Sequence, residues 1–150
     1  MSQSLTKIVV HAVYSTKDRR PYLSKNVRTQ LYPYKIGILD TLGCITLAIG
    51  GIDDHVHVLF SLSKTITLSK AMEELKGGAS RWLRAEQPDM KNFAWQGGFG
   101  AFSVSESQIP KVVEYIENQE RHHQVLSFQD ELKSLLKKHR IDFDEQYLWT

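Results

Sequence analysis

A single cysteine, Cys44, stands in a chain of 150 residues, so no disulfide can form within it. Cys44 opens an apolar run, Cys44-Ile45-Thr46-Leu47-Ala48-Ile49, and reads as a buried core thiol rather than a nucleophile. Long apolar runs are missing: nothing approaches the roughly 20 residues that cross a bilayer. The N-terminus, Met1-Ser2-Gln3-Ser4-Leu5-Thr6-Lys7, lacks the apolar core of a secretion signal. We therefore expect a soluble cytoplasmic protein with no membrane partner. Charge of one sign is also scarce, the formal net charge being +2, so any contact with phosphates must come from local patches. Repeats, low-complexity segments and linkers are absent, and the expectation is one domain over residues 1–150. Hydrophobic residues make up 41% and charged residues 24%, which excludes a disordered chain. A chain of this length buries roughly 70% of its unfolded surface and needs no cross-links.

Residues Lys7 to Tyr14 are mostly β-branched or aromatic and read as a strand. A polar loop with Lys17, Arg19 and Arg20 follows. Ser24 can cap a helix that runs to about Leu42, with Pro33 inside it expected to kink or shorten it. Cys44–Ile52 and His55–Leu62 read as two strands joined by Asp53-Asp54, a hairpin. Thr67 to about Gln87 is a helix with Leu68, Met72, Leu75, Ala79 and Trp82 on one stripe, interrupted by Gly77-Gly78 in a way that suggests close approach or a bend. A glycine- and aromatic-rich loop from Ala94 enters a fourth strand. A helix beginning near Ser107 or Gln108 carries Tyr115, Gln119, His122 and His123, and a last helix spans about Ser127 to His139. The aromatic tail from Phe143 to Trp149 should pack back on the domain or on a partner chain. The order β-α-β-β-α-β followed by helices predicts an α+β sandwich of the ferredoxin-like or RNA-recognition type. It has an antiparallel sheet with helices on one face, plus a C-terminal tyrosine helix.

Two pairs of residues carry chemistry. His55 and His57 lie two apart on a strand and so share a face, while Val56, Val58 and Phe60 point inward. Two such imidazoles can hold one divalent ion, with Asp53 or Asp54 orienting a ring nitrogen. They can equally be polar residues on the open side of a half-buried sheet. Tyr115 and Gln119 lie one helical turn apart. A phenol is a weak nucleophile at neutral pH, and a nearby cation would help it attack a phosphodiester. Spacing alone does not show that the two pairs meet.

Asp54-His55-Val56-His57-Val58-Leu59 resembles the His-hydrophobic-His motif of the HUH endonucleases. Tyr115-Ile116-Glu117-Asn118-Gln119 with His122-His123 resembles the tyrosine helix of their single-tyrosine transposases, of the IS200/IS605 type that includes REP-associated tyrosine transposases. Trp95-Gln96 and Gly100 to Ser105 resemble the strand that precedes that helix. The resemblance covers about Lys7 to Trp149. It implies a transposase that cleaves and rejoins single-stranded DNA at hairpin-bearing element ends. Tyr115 would be the nucleophile, forming a 5′-phosphotyrosine link, and His55, His57 and Gln119 would be ligands of Mg2+ or Mn2+. It also implies a homodimer, with the tyrosine acting either in its own subunit or in the partner's, and no small-molecule cofactor. Gly50-Gly51-Ile52-Asp53-Asp54 departs from the Met-Pro-Asp often found before the histidines.

Basic residues that could meet DNA fall in three groups: Lys17, Arg19 and Arg20; Lys70, Lys76, Arg81 and Arg84; and Lys133, Lys137, Lys138 and Arg140. Each also reads as a solvated face. A non-enzymatic RNA-recognition module would share the fold but display aromatics on its central strands, where this chain places His11, His55 and His57. A phosphoesterase with paired His-x-Thr motifs would need a second such motif, and none is present. A transposase domesticated to a host role would keep the same residues.

Overall fold

The structure is a computed structural model and describes residues 2–150. Ten elements follow in the order β1 (Val9–Ser15), α1 (Lys25–Thr41), β2 (Ile45–Ile52), β3 (His55–Ser61), α2 (Leu68–Glu86), β4 (Gly100–Val104), α3 (Ile109–Glu117), α4 (Gln119–His122), α5 (Phe128–Lys138) and α6 (Glu145–Leu148). The strands form one antiparallel sheet in the order β2-β3-β1-β4, the arrangement expected of a ferredoxin-like fold. Of the described residues, no helix is long and apolar enough to cross a membrane.

Alternation along the strands separates two faces. Val10, Ala12, Tyr14, Val56, Val58 and Phe60 face α1 and α2 and form the main core with Leu31, Leu39, Met72, Leu75, Ala79 and Leu83. Ser24 caps α1 by accepting from the Val27 amide at 3.3 Å. Pro33 does not shorten that helix. Pro33 and Thr29, whose carbonyl loses its usual partner, both lie on the exposed side, where water can serve instead. At Gly78 a Cβ would stand 2.8 Å from the Cδ1 of Ile38, so this glycine of α2 makes room for a side chain of α1, whereas Gly77 faces only Arg81 of its own helix.

The other face is also covered. Val9, Ala48, Leu59 and Ile116 join α3 to the sheet. Val13, Phe102, Phe128, Leu132 and Leu136 join α5 to it, and Phe143, Leu148 and Trp149 of the tail pack against this second cluster. The tail thus folds back on its own domain, one of the two outcomes its aromatic content predicts. The helix expected to run from about Ser107 through His123 is broken at Asn118, whose φ of −101° and ψ of 24° leave the helical range. The Asn118 side chain donates to the Glu114 carbonyl at 2.9 Å, a local bond that competes with helix continuation.

Candidate active site

His55 and His57 sit on the face covered by α3 to α5, and both are fully buried. What covers them is a carboxylate: Glu131 of α5, 1% exposed. Its Oε1 lies 2.8 Å from His57 Nε2 and 3.2 Å from the Nε2 atoms of both His55 and His123. Its Oε2 accepts a short hydrogen bond from the Tyr115 hydroxyl and a 3.2 Å bond from Gln119 Nε2. The Gln119 Oε1 in turn lies 3.1 Å from His55 Nε2 and 2.9 Å from His123 Nε2. Histidine pair and tyrosine helix therefore meet at one carboxylate, within a single chain.

The far sides of the imidazoles are also engaged. Asp54 Oδ1 is 2.7 Å from His55 Nδ1, the orienting role expected of that aspartate pair. Asp53 instead accepts from Arg28 Nη1 at 2.7 Å, while Arg28 Nη2 donates to Glu120 at 2.8 Å. A buried guanidinium of α1 thus ties the turn before His55 to α4. His123 Nδ1 faces the Leu126 carbonyl, and His57 Nδ1 is 2.8 Å from His11 Nε2. Acceptors on Nδ1, Asp54 for His55 and the Leu126 carbonyl for His123, fix the rings so that each Nε2 turns toward Glu131 and Gln119. One ligand atom each from His55, His57, His123 and Glu131 fall within 4.8 Å of one another. Three imidazole nitrogens and one carboxylate oxygen, all buried or half-buried, fit a divalent ion such as manganese or zinc better than magnesium, which prefers oxygen.

The electrostatics match that geometry. Burial opposes charge on His55, but hydrogen bonds to Asp54 and Glu131 outweigh it and push its pKa up to about 9. Burial dominates at His57, pulled down to about 4, and at His11, pulled down to about 3 with help from His57. Burial would raise Glu131, yet hydrogen bonds from His123, His55 and His57 hold it well below the usual carboxylate range. Burial and the Glu131 charge push the Tyr115 phenol up.

Gly50 makes the arrangement possible. It pairs with His57 across the hairpin, and a Cβ there would fall 2.2 Å from the Ile116 carbonyl oxygen. Only a bare backbone lets the tyrosine helix approach the sheet this closely beside the histidines.

Glu131 was not legible as a site residue, although it left a signal: it sits in the apolar stripe of α5 between Phe128 and Leu132. From sequence, His123 could bind phosphate or substrate or sit at a helix end where cations are favoured, with no sign that it joins the histidine pair. The basic groups are more scattered. Lys17 and Arg20 are exposed, and Arg19 lies over the Trp149 ring at 5.7 Å. Lys76, Arg81 and Arg84 are on α2, across the sheet from Tyr115. Lys76 donates to the Gln96 carbonyl at 2.8 Å and also to that of Gly98, and Arg84 to that of Phe93 at 3.1 Å; among the described residues the exposed Arg81 makes no such bond.

Fold and site together define a ferredoxin-like α+β protein whose tyrosine-bearing helix closes over a His-x-His cluster. The chain belongs to the family described as "Transposase IS200 like", whose model matches residues 4–119. It is similar to the ISDra2 transposase TnpA of Deinococcus radiodurans, 25% identical over 114 residues that cover 73% of this chain and 81% of that protein. Two solved structures share the fold. A crystal structure described as a transposase of D. radiodurans R1 has a TM-score of 0.62 at 24% identity, covering 79% of this chain and 98% of its own. A REP-associated tyrosine transposase bound to a REP hairpin has a TM-score of 0.62 at 17% identity, covering 84% of this chain and 76% of its own.

Proposed function

We propose that this transposase cuts and rejoins single-stranded DNA through a covalent link to Tyr115. The observation that carries the reading is the Tyr115 hydroxyl bonded to Glu131, whose other oxygen faces His55, His57 and His123. Tyr115 attacks a backbone phosphate: the bond from its oxygen to phosphorus forms, and the bond to the 3′-oxygen breaks. The product is a 5′-phosphotyrosine and a free 3′-OH. The phenol gives up its proton to water, and the departing 3′-oxygen takes one from water, so no net proton is consumed. Reversal with a different 3′-OH rejoins strands without external energy, because the phosphodiester energy is kept in the tyrosyl ester.

His55, His57 and Gln119, together with His123 and Glu131, would hold the divalent ion. The ion would polarise the phosphate and offset the charge that makes Tyr115 a reluctant nucleophile. We expect manganese to support cleavage at least as well as magnesium; activity in magnesium alone would contradict this donor set. Two subunits would bind one DNA as a homodimer, each site completed by a tyrosine helix of its own or of the other subunit. Hairpin recognition is proposed from the structure that shares this fold and holds a REP hairpin.

The test is covalent capture. Labelled single-stranded DNA from the flanks of the protein's own coding sequence is incubated with and without manganese and run on a denaturing gel. A metal-dependent adduct that vanishes in Tyr115→Phe, with DNA binding retained, is the expected result. Metal-loaded wild type that binds this DNA yet forms no adduct and no cleavage product would end the catalytic reading and leave a binding module.

A further inference from the structure

The groups gathered around Glu131 are sealed: His55 and His57 are 0% exposed, Gln119 and Glu131 1%. A phosphate needs a way in, and two openings touch the site. One, of about 260 Å³, reaches Gln119 but neither Tyr115 nor Glu131; of its two cations, Lys25 and Arg28, the latter is already paired with Asp53 and Glu120. The other is a groove of about 780 Å³ between α3 and α5, crossing β4, with Tyr115, Glu131 and His11 in its wall. Its rims carry Lys111 on α3 and, on the opposite side, Lys138 followed by His139. Among the described residues, the lysine side chains engaged in ion pairs are Lys7, Lys70 and Lys133; neither rim lysine is one of them. The His139 ring is fixed flat at the edge, stacked on Phe102 with centroids 4.4 Å apart and bonded through Nδ1 to the Leu135 carbonyl at 2.9 Å.

We propose that this groove is the track for the unpaired strand on either side of the reacting phosphate. Lys111 and Lys138 neutralise the flanking phosphates from opposite walls, and His139 offers a base a stacking surface. The volume is that of a small-ligand pocket, roughly 300–1,000 Å³. That is room for nucleotide units of one strand. The assignment deepens the reading of Tyr115 as the nucleophile and rests on it for the identity of the reacting phosphate. The α2 cations, on the far side of the sheet, take no part in it.

The test measures binding of labelled oligo(dT) by anisotropy across a salt series, for wild type, Lys111→Glu/Lys138→Glu and Ser134→Trp. The last variant fills the groove without changing charge. Unchanged thermal midpoints establish that both variants fold. The charge-reversed pair is expected to lose affinity by roughly tenfold or more, with the salt slope falling by about 1.4, two contacts at about 0.7 each. Ser134→Trp should also lose affinity, while a blunt duplex of the same length responds to neither change. Oligo(dT) binding that is indifferent to both variants overturns the groove assignment, as does an equal loss on the duplex. The adduct assay keeps the two readings apart. A Tyr115-dependent adduct with groove-independent binding removes only this inference, whereas groove-dependent binding without any adduct removes only the catalytic one.

Discussion

At the scale of single residues, Glu131 decides how the site behaves. One oxygen serves the imidazoles and the other the phenol, so its removal should uncouple them. In wild type, manganese at about 100 times its Kd should stabilise the fold by about 2.7 kcal/mol, read as a rise in thermal midpoint that a chelator reverses. Glu131→Gln, similar in shape and neutral, should lose most of that rise. A full manganese response in the variant would show that the histidines hold the ion unaided. Alternation on β3 was enough to place His55 and His57 on one face. Glu131 was not legible because it meets His57 across 74 positions of sequence, and a lone carboxylate in an apolar stripe declares no partner.

A second buried residue lies apart from the chemistry. The Lys35 ammonium is fully buried with no hydrogen-bond partner among the described residues, over the rings of Tyr14 at 4.8 Å and Trp95 at 5.5 Å. Burial, aided by Lys76, pulls its pKa down to about 7. Unfolded, it keeps its proton to its ordinary value of 10.5, so between 7 and 10.5 the unfolded chain binds more protons and stability rises with pH. Lys35→Met should therefore be more stable than wild type at pH 7, by on the order of 2–4 kcal/mol. That gap should narrow toward pH 10 in denaturant titrations; a constant gap would mean that Lys35 titrates normally in the folded state.

Among the elements, α3 is set by what lies beneath it. Gly50→Ala places a methyl group against the Ile116 carbonyl, and backbone cannot yield as a side chain can. The expected cost is about 1–3 kcal/mol, with adduct formation falling more steeply than the folded fraction, because the displaced helix carries Tyr115. An alanine variant with wild-type adduct yield would show that the helix tolerates the shift. Strand and helix spans followed from alternation, the Ser24 cap and the 3.6-residue period, while Thr67 and Ser127 cap their helices in the structure. The break at Asn118 did not, since an asparagine inside a helical pattern bends the chain only where tertiary contacts reward it. Here the reward is Gln119 turned into the site, 1% exposed.

Across the whole molecule, the tail supports the site from behind. Trp149 packs edge-on to Phe128 at 6.3 Å between ring centroids, and Phe128 lies 4.8 Å from the His55 ring. Trp149→Ala should lower stability by about 1–3 kcal/mol, less than a fully buried tryptophan would, and should weaken the manganese-induced rise in midpoint. An unaltered manganese response would mean that α5 holds its place without the tail. By itself the sequence determined which faces the strands present, where the helices begin, and that a histidine pair and a tyrosine helix follow one another in a β-α-β-β-α-β chain. Those are local matters, fixed by periods of two and 3.6 residues and by capping side chains. Only the tertiary structure decided that α3 to α5 close over the histidine face, that Glu131 joins the histidines to the tyrosine, and that α2 with its cations stands on the opposite side. Such contacts join residues far apart in the chain, and they form because burying both faces of the sheet removes more apolar surface from water than burying one.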